Sequence, residues 1–298
     1  MIWLNMVDLL SFGWCLSPAT LRAGFSSPSP SGGRLQAVTM FIQECCQRFA
    51  PEACIDARQE AYSTAHMTAH PLAGSSVLFD LDGTIIDSRA GIISTIRKVI
   101  RELGHEPDLD QDLTWVVGPP LRDLIGEVLR HYGDDRCDEA METYRRHYEA
   151  EGMFRTAVFP GMREAIATIR ETGAALYIAT SKPKLLARAI LERAGLLGEF
   201  RQVYGANPDD SGAEKPELIA SILSDHGIEK HHAIMLGDRR FDISGAHANA
   251  IRAIGIAWGY GGEGELVEAG AEAIAETPSE LPGLVSSQLQ AALKHVHA

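Results

Sequence analysis

Val77-Leu78-Phe79-Asp80-Leu81-Asp82-Gly83-Thr84-Ile85-Ile86-Asp87-Ser88 opens as an apolar run and then sets two carboxylates one residue apart. The apolar opening predicts a buried strand. Side chains at alternate positions of an extended chain point the same way, so Asp80 and Asp82 sit together where that strand ends. Gly83 permits a sharp turn there. Like charges held so close resist joint ionisation. A divalent cation relieves that cost, and carboxylate oxygens suit Mg²⁺. A bare Asp-x-Asp-Gly fits an acidic turn facing water equally well. The rest of the chain has to decide between the two.

Downstream, short apolar runs alternate with helical spacing. Ala174 to Ala179 reads as a buried strand running into Thr180-Ser181-Lys182-Pro183. Hydroxyls and backbone N–H groups between a strand and a helix start suit a phosphate, although a hydroxyl there also serves as an N-cap. Gln202 to Gly205 reads as a short strand. Gly212-Ala213-Glu214-Lys215-Pro216 then precedes a helix carrying Leu218, Ile219, Ile222 and Leu223. Ala233 to Leu236 is a buried strand ending in Gly237-Asp238-Arg239-Arg240-Phe241-Asp242. Asp238 and Asp242, four apart, can share a face of the turn and following helix. Strands at Ile251 to Ala257 and Ala273 to Ala275 and a terminal helix after Pro278 close the chain. Trp258 and Tyr260, in the glycine-rich loop between those strands, read as packing residues. Strands alternating with helices predict an α/β fold, a parallel sheet with helices on both faces. Asp80, Thr180 and Asp238 all fall just past strand ends, where open α/β sheets bind ligands.

Between Ser88 and Phe159 the pattern is helical only. Ser88 is a candidate N-cap for a helix carrying Ile92, Ile93, Ile96, Val99, Ile100 and Leu103, with Gly104 ending it. Further helices are expected near 121–131 and 138–151. With no strand among them, they predict a separate helical module. Thr114 to Arg122 links the first two. It is either an ordinary loop with Pro119 starting the next helix or a loop reaching the site, with Arg122 near substrate.

The ordered set, Phe-Asp-Leu-Asp-Gly-Thr at 79–84, Thr180-Ser181, Lys215-Pro216 and Gly-Asp-x-x-x-Asp at 237–242, resembles the four motifs of the haloacid dehalogenase-like phosphatases. The resemblance spans Ser76 to about Leu284. It implies a Rossmann-like core (76–88 and 159–298) with a helical cap (89–158) inserted after the first strand, a lid that excludes water and selects substrate. It implies that Asp80 is the nucleophile, Asp82 the general acid/base, and Thr180 and Lys215 the phosphoryl-stabilising groups. Lys182 is a rival for the lysine role; position in the motif order favours Lys215. It further implies Mg²⁺ at Asp80, Asp82 (through its backbone carbonyl) and Asp238, with Asp242 either a ligand through water or an orienter. Ser181, Thr84 and Arg122 are expected on the substrate side, Thr84 by holding the Asp82 loop. The implied activity is hydrolysis of a small phosphorylated metabolite, phosphoglycolate phosphatase-like. The alternative is a 5′-nucleotidase; further off lie a phosphomutase and a non-catalytic module that kept the fold.

Net charge of −13 argues against nucleic acid and anionic membranes as partners. Four of the five cysteines precede residue 75 and none has zinc spacing, which predicts a reducing, cytoplasmic setting. No apolar run is long enough to span a bilayer. Residues 1–75 differ from the rest and read as a largely disordered extension without catalytic role. A targeting segment, or upstream sequence before a later start at Met40 or Met67, remain open readings. Oligomeric state is not legible.

Overall fold

The computed structural model of the chain describes residues 71–110 and 113–296. The expected extension at 1–75 thus lies, up to residue 70, outside the described residues.

The core is a six-stranded parallel sheet in the order β5-β4-β1-β6-β7-β8. Its strands are β1 (Ser76–Phe79), β4 (Ala175–Pro183), β5 (Gln202–Ala206), β6 (Ala233–Gly237), β7 (Arg252–Ile256) and β8 (Ala273–Ala275). β1 lies in the middle, with Phe79 in register with Ile178 on one side and Leu236 on the other. Its residues alternate between two cores, as strand geometry requires. Val77 and Phe79 pack with α4 (Met162–Glu171), α5 (Lys184–Arg193) and α9 (Leu281–Val296). Leu78 faces the other way, onto α6 (Lys215–His226), α7 (Arg240–Ala248) and α8 (Gly262–Glu268). Both faces are therefore covered, as an all-parallel sheet demands.

The helical segment after β1 comprises α1 (Arg89–Glu102), α2 (Leu121–His131) and α3 (Cys137–Ala150). It has its own buried cluster, built from Ile96, Ile100, Ile125, Leu129, Met141 and their neighbours. Two short antiparallel strands, β2 (Ile86–Asp87) and β3 (Ala157–Val158), pair where the chain leaves and rejoins the core. The spacing of apolar residues did not disclose this pair, because each strand is two residues long. Nor did it disclose α8, whose Gly262-Glu263-Gly264 start has low helical propensity. α2 starts after Pro120 rather than at Pro119. Ser88 occupies the N-cap position of α1, but its hydroxyl makes no capping bond.

Among the described residues no helix is long and apolar enough to cross a membrane.

Candidate active site

The parallel register brings the ends of β4, β1 and β6 side by side. Asp80 follows β1, Thr180 lies toward the end of β4, and Asp238 follows β6. The Asp80 backbone N–H still donates to Leu236 O (2.9 Å), so the first carboxylate is fixed to the sheet itself.

Lys215, at the first position of α6, is buried among acids. Its Nζ lies 2.7 Å from Asp80 Oδ1 and 2.6 Å from Asp242 Oδ1, and donates to Ala179 O at 2.8 Å. Burial works against its ammonium, but Asp242 and Asp80 outweigh burial and hold its pKa above the usual lysine range. The carboxylates are perturbed in the opposite sense. Burial pushes Asp80 up to about 7 despite Lys215, with Asp242 adding to the rise. Burial, then Asp80 and Asp242, push Asp238 well above the usual carboxylate range. One ammonium is too little positive charge for this set.

One carboxylate oxygen from each of Asp80, Asp238 and Asp242 lies within 4.8 Å of the other two. An all-oxygen, buried, anionic cluster fits a hard divalent cation. Asp238 is oriented from both sides: Thr84 Oγ1 donates to its Oδ1 (3.3 Å) and the Tyr260 backbone N–H to its Oδ2 (2.8 Å). The two oxygens of Asp242 are differently engaged, Oδ2 by the Arg239 N–H (3.1 Å) and Oδ1 facing Lys215.

Gly83 is required by close approach as well as by its backbone. Its φ is +88°, and a Cβ there would sit 2.2 Å from Asp238 Oδ2. Gly83→Ala is expected to cost about 2 kcal/mol or more and to displace Asp238. A melting temperature and Mg²⁺ affinity equal to wild type would contradict this.

Asp82 is placed differently from Asp80. Its Oδ2 lies 3.1 Å from Lys182 Nζ, while its Oδ1 is buried without a hydrogen-bond partner. Asp80, Asp82, Thr180, Ser181 and Lys182 line one cavity of about 350 Å³, and the helical segment closes its far wall with Val117, Leu121, Leu124, Tyr144 and Tyr148. Thr180 Oγ1 accepts from the Lys182 N–H (3.2 Å), and the Ser181 hydroxyl is spent on Ala213 O (2.8 Å).

Two residues expected on the substrate side lie elsewhere. Thr84 is fully buried beneath Asp238 and does not line the cavity. Arg122 is exposed on α2, paired with Asp138 at 2.8 Å, and is also absent from the cavity wall. Conversely, Tyr260 does more than pack. Its Oη donates to Asp87 Oδ1 (2.9 Å) and accepts from the Ser88 and Arg89 N–H groups (3.0 and 3.3 Å), tying the loop after β7 to the start of α1. The Arg239 guanidinium donates to Val117 O and to Glu265 (3.0 Å), clasping the loop before α2. A tyrosine in a glycine-rich loop was the only local signal for the first contact, and Arg239-Arg240 gave none for the second.

Residues 77–256 match the family model described as haloacid dehalogenase-like hydrolase, and the chain belongs to that family. With relatives named as phosphatases, it is a hydrolase of the family's phosphatase type. Among curated proteins it is 37% identical over 194 residues to a 5′-nucleotidase of Pseudomonas aeruginosa, covering 64% of this chain and 86% of that one. It is 37% identical to the tyrosine-protein kinase PtkA of Mycobacterium tuberculosis over 62% of each chain. A phosphoglycolate phosphatase of Agrobacterium fabrum is 30% identical, over 65% of this chain and 84% of its own. The crystal structure of a predicted phosphatase from Clostridium acetobutylicum superposes with a TM-score of 0.67 at 32% identity, covering 72% of this chain and 98% of that one.

Proposed function

We propose that the chain is a Mg²⁺-dependent phosphomonoesterase working through a phosphoryl group on Asp80, with nucleoside 5′-monophosphates as its preferred substrate class. The observation that carries the chemistry is Lys215 Nζ at 2.7 Å from Asp80 Oδ1, beside a cavity that Asp82 and Thr180 share. Asp80, Asp238 and the Asp82 backbone carbonyl would hold Mg²⁺. Bound there, the ion screens the repulsion between a carboxylate nucleophile and an anionic phosphate.

The residues divide the work. Lys215 steadies Asp80 as a carboxylate pointing at phosphorus, and Asp242 steadies Lys215. Asp80 attacks, forming an acyl phosphate. Asp82 gives a proton to the departing oxygen and later takes one from the water that releases phosphate. Lys215 and Thr180 face the charge on the phosphoryl oxygens. The helical segment excludes bulk water from the cavity.

The cavity wall argues for the leaving group. It is largely aliphatic and aromatic, with Tyr144 and Tyr148 stacked at 5.5 Å. A base and sugar can fill such a space. Glycolate, with two carbons and a carboxylate, leaves the apolar wall unused. The similarity to a 5′-nucleotidase points the same way.

The test is phosphate release from nucleoside monophosphates, phosphoglycolate and sugar phosphates, with Mg²⁺ and with chelator. Chelator-sensitive release, fastest from a nucleoside monophosphate, is expected. Preference for phosphoglycolate would move the substrate assignment. Phosphate passed to a sugar or tyrosine hydroxyl instead of water would replace hydrolysis by transfer, and release from no substrate would overturn the reading.

A further inference from the structure

Lys182 is a buried cation to which the chemistry above gives no task. It stands next to Ser181 at the end of β4, with its side chain 8% exposed. Three contacts fix its ammonium. It lies 3.1 Å from Asp82 Oδ2, donates to Tyr148 Oη at 3.2 Å, and sits 4.6 Å from the centre of the Tyr148 ring. A cation over a desolvated aromatic face is held more firmly than one in water. Tyr148 belongs to α3 of the inserted helical segment, so one nitrogen joins the core sheet, the loop after β1 and the cap.

The consequence falls on Asp82. A free carboxylate can rotate about its Cβ–Cγ bond and present either oxygen. Here Oδ2 is engaged by Lys182, and Oδ1 is buried without a partner in a residue that lines the cavity. Only one oxygen is left to meet a reacting atom.

We propose that Lys182 is a positioning residue for proton transfer by Asp82: it holds Oδ2, leaves Oδ1 to the leaving-group oxygen, and through Tyr148 makes that orientation depend on the cap being docked. The inference rests on Asp82 acting as general acid, as proposed above. In the step concerned, the P–O bond to the leaving group breaks and its electron pair goes to the leaving oxygen. The proton on Asp82 Oδ1 moves to that oxygen, and the resulting carboxylate faces the Lys182 ammonium, which keeps its own protons. A lysine that merely bound phosphate would act on every substrate alike, because all carry the same phosphoryl group. A lysine that acts through the acid matters most where the leaving group needs a proton.

That difference sets the experiment. Benzyl phosphate and p-nitrophenyl phosphate are similar in size, but benzyl alkoxide leaves poorly without a proton and p-nitrophenolate leaves well. The readout is kcat/KM, which covers the steps up to departure of the leaving group. Lys182→Met is expected to lose about ten-fold more on benzyl phosphate than on p-nitrophenyl phosphate. Lys182→Arg should recover part of that difference. Tyr148→Phe, which keeps the ring and removes the acceptor, should show a smaller shift in the same direction, and it decides the question if Lys182→Met does not fold. Equal losses on the two substrates, or no loss, overturn the proposal while leaving the phosphatase reading intact. A wild-type protein that releases phosphate from neither of these nor from any nucleoside monophosphate, phosphoglycolate or sugar phosphate overturns both.

Discussion

Asp80→Asn is expected to abolish phosphate release, by at least about 10⁴-fold, and yet to make the metal-free protein more stable above neutral pH. The first half follows from chemistry. An amide has no carboxylate oxygen with which to attack phosphorus, and nothing else in the cluster replaces it: Asp238 is turned toward Thr84 and Tyr260, and Asp242 toward Lys215 and Arg239. The second half follows from linkage. Burial lifts Asp80 from 3.8 to about 7 in the folded protein. A carboxyl whose folded pKa is raised binds its proton more tightly when folded, so its contribution is fully present below about pH 4 and is lost as pH rises through 7. The loss is on the order of a few kcal/mol. Asparagine removes it, and Lys215 keeps Asp242 and Ala179 O as partners. In chelator, the variant and wild type should melt together near pH 4 and diverge toward pH 8, with the variant higher. Adding Mg²⁺ should raise the wild type more than the variant. A dead enzyme that melts like wild type at every pH would keep Asp80 as the nucleophile but sink the claim that its charge is a burden in the empty site. An active variant would sink the assignment itself.

The parts of this molecule legible in its sequence are those with local signatures. β1 showed itself because Val77, Leu78 and Phe79 are buried on both faces, while the Asp-x-Asp-Gly after it took its meaning from the longer string around it and from the motifs that follow in order. The helix at 121–131 and the strand at 273–275 emerged where periodicity placed them. Lys215 was separable from Lys182 only by motif order; the structure gives each its own carboxylate, Asp80 for one and Asp82 for the other. Contacts made across long loops left no local trace. Tyr260 meets Asp87 across 173 residues, and Arg239 meets Val117 across 122. Neither partner's neighbourhood is changed in composition by the meeting. α8 was hidden for a related reason: its glycines disfavour a helix, and what holds it is tertiary, with Leu266 fully buried and Glu265 accepting from Arg239 and from the Arg240 N–H. Arg122 was misplaced because sequence position near a proline-rich loop says nothing of which way a helix is rotated. On α2 its neighbours Leu121 and Leu124 reach the cavity, while Arg122 points to Asp138.

Lys215→Met should be the most destabilising change in the site, and its effect should grow with pH. The ammonium is 4% exposed and stands between two carboxylates, with a third, Asp238, close by. Breaking a buried ion pair by removing one partner typically costs about 3–5 kcal/mol, because the other partner keeps its charge without compensation. Here two partners lose compensation at once. They can escape only by taking up protons, which is easy at low pH and progressively harder as pH rises. Lys215 itself stays charged throughout this range, since its own pKa is held above the usual value. The melting difference from wild type should therefore be small near pH 4 and large near pH 8 in chelator. Mg²⁺ brings positive charge back to the same oxygens and should restore part of the stability at pH 8. It should not restore turnover, because Lys215 also holds the Asp80 carboxylate in place for attack; a loss of about 10²–10³-fold is expected to remain. Lys215→Arg returns the charge but not the shape, since three acceptors at 2.6 to 2.8 Å leave no room for a guanidinium. It should melt between the other two and remain impaired. If the lysine were an ordinary solvated charge before a helix-start proline, all three proteins would melt alike at every pH and turn over alike with Mg²⁺.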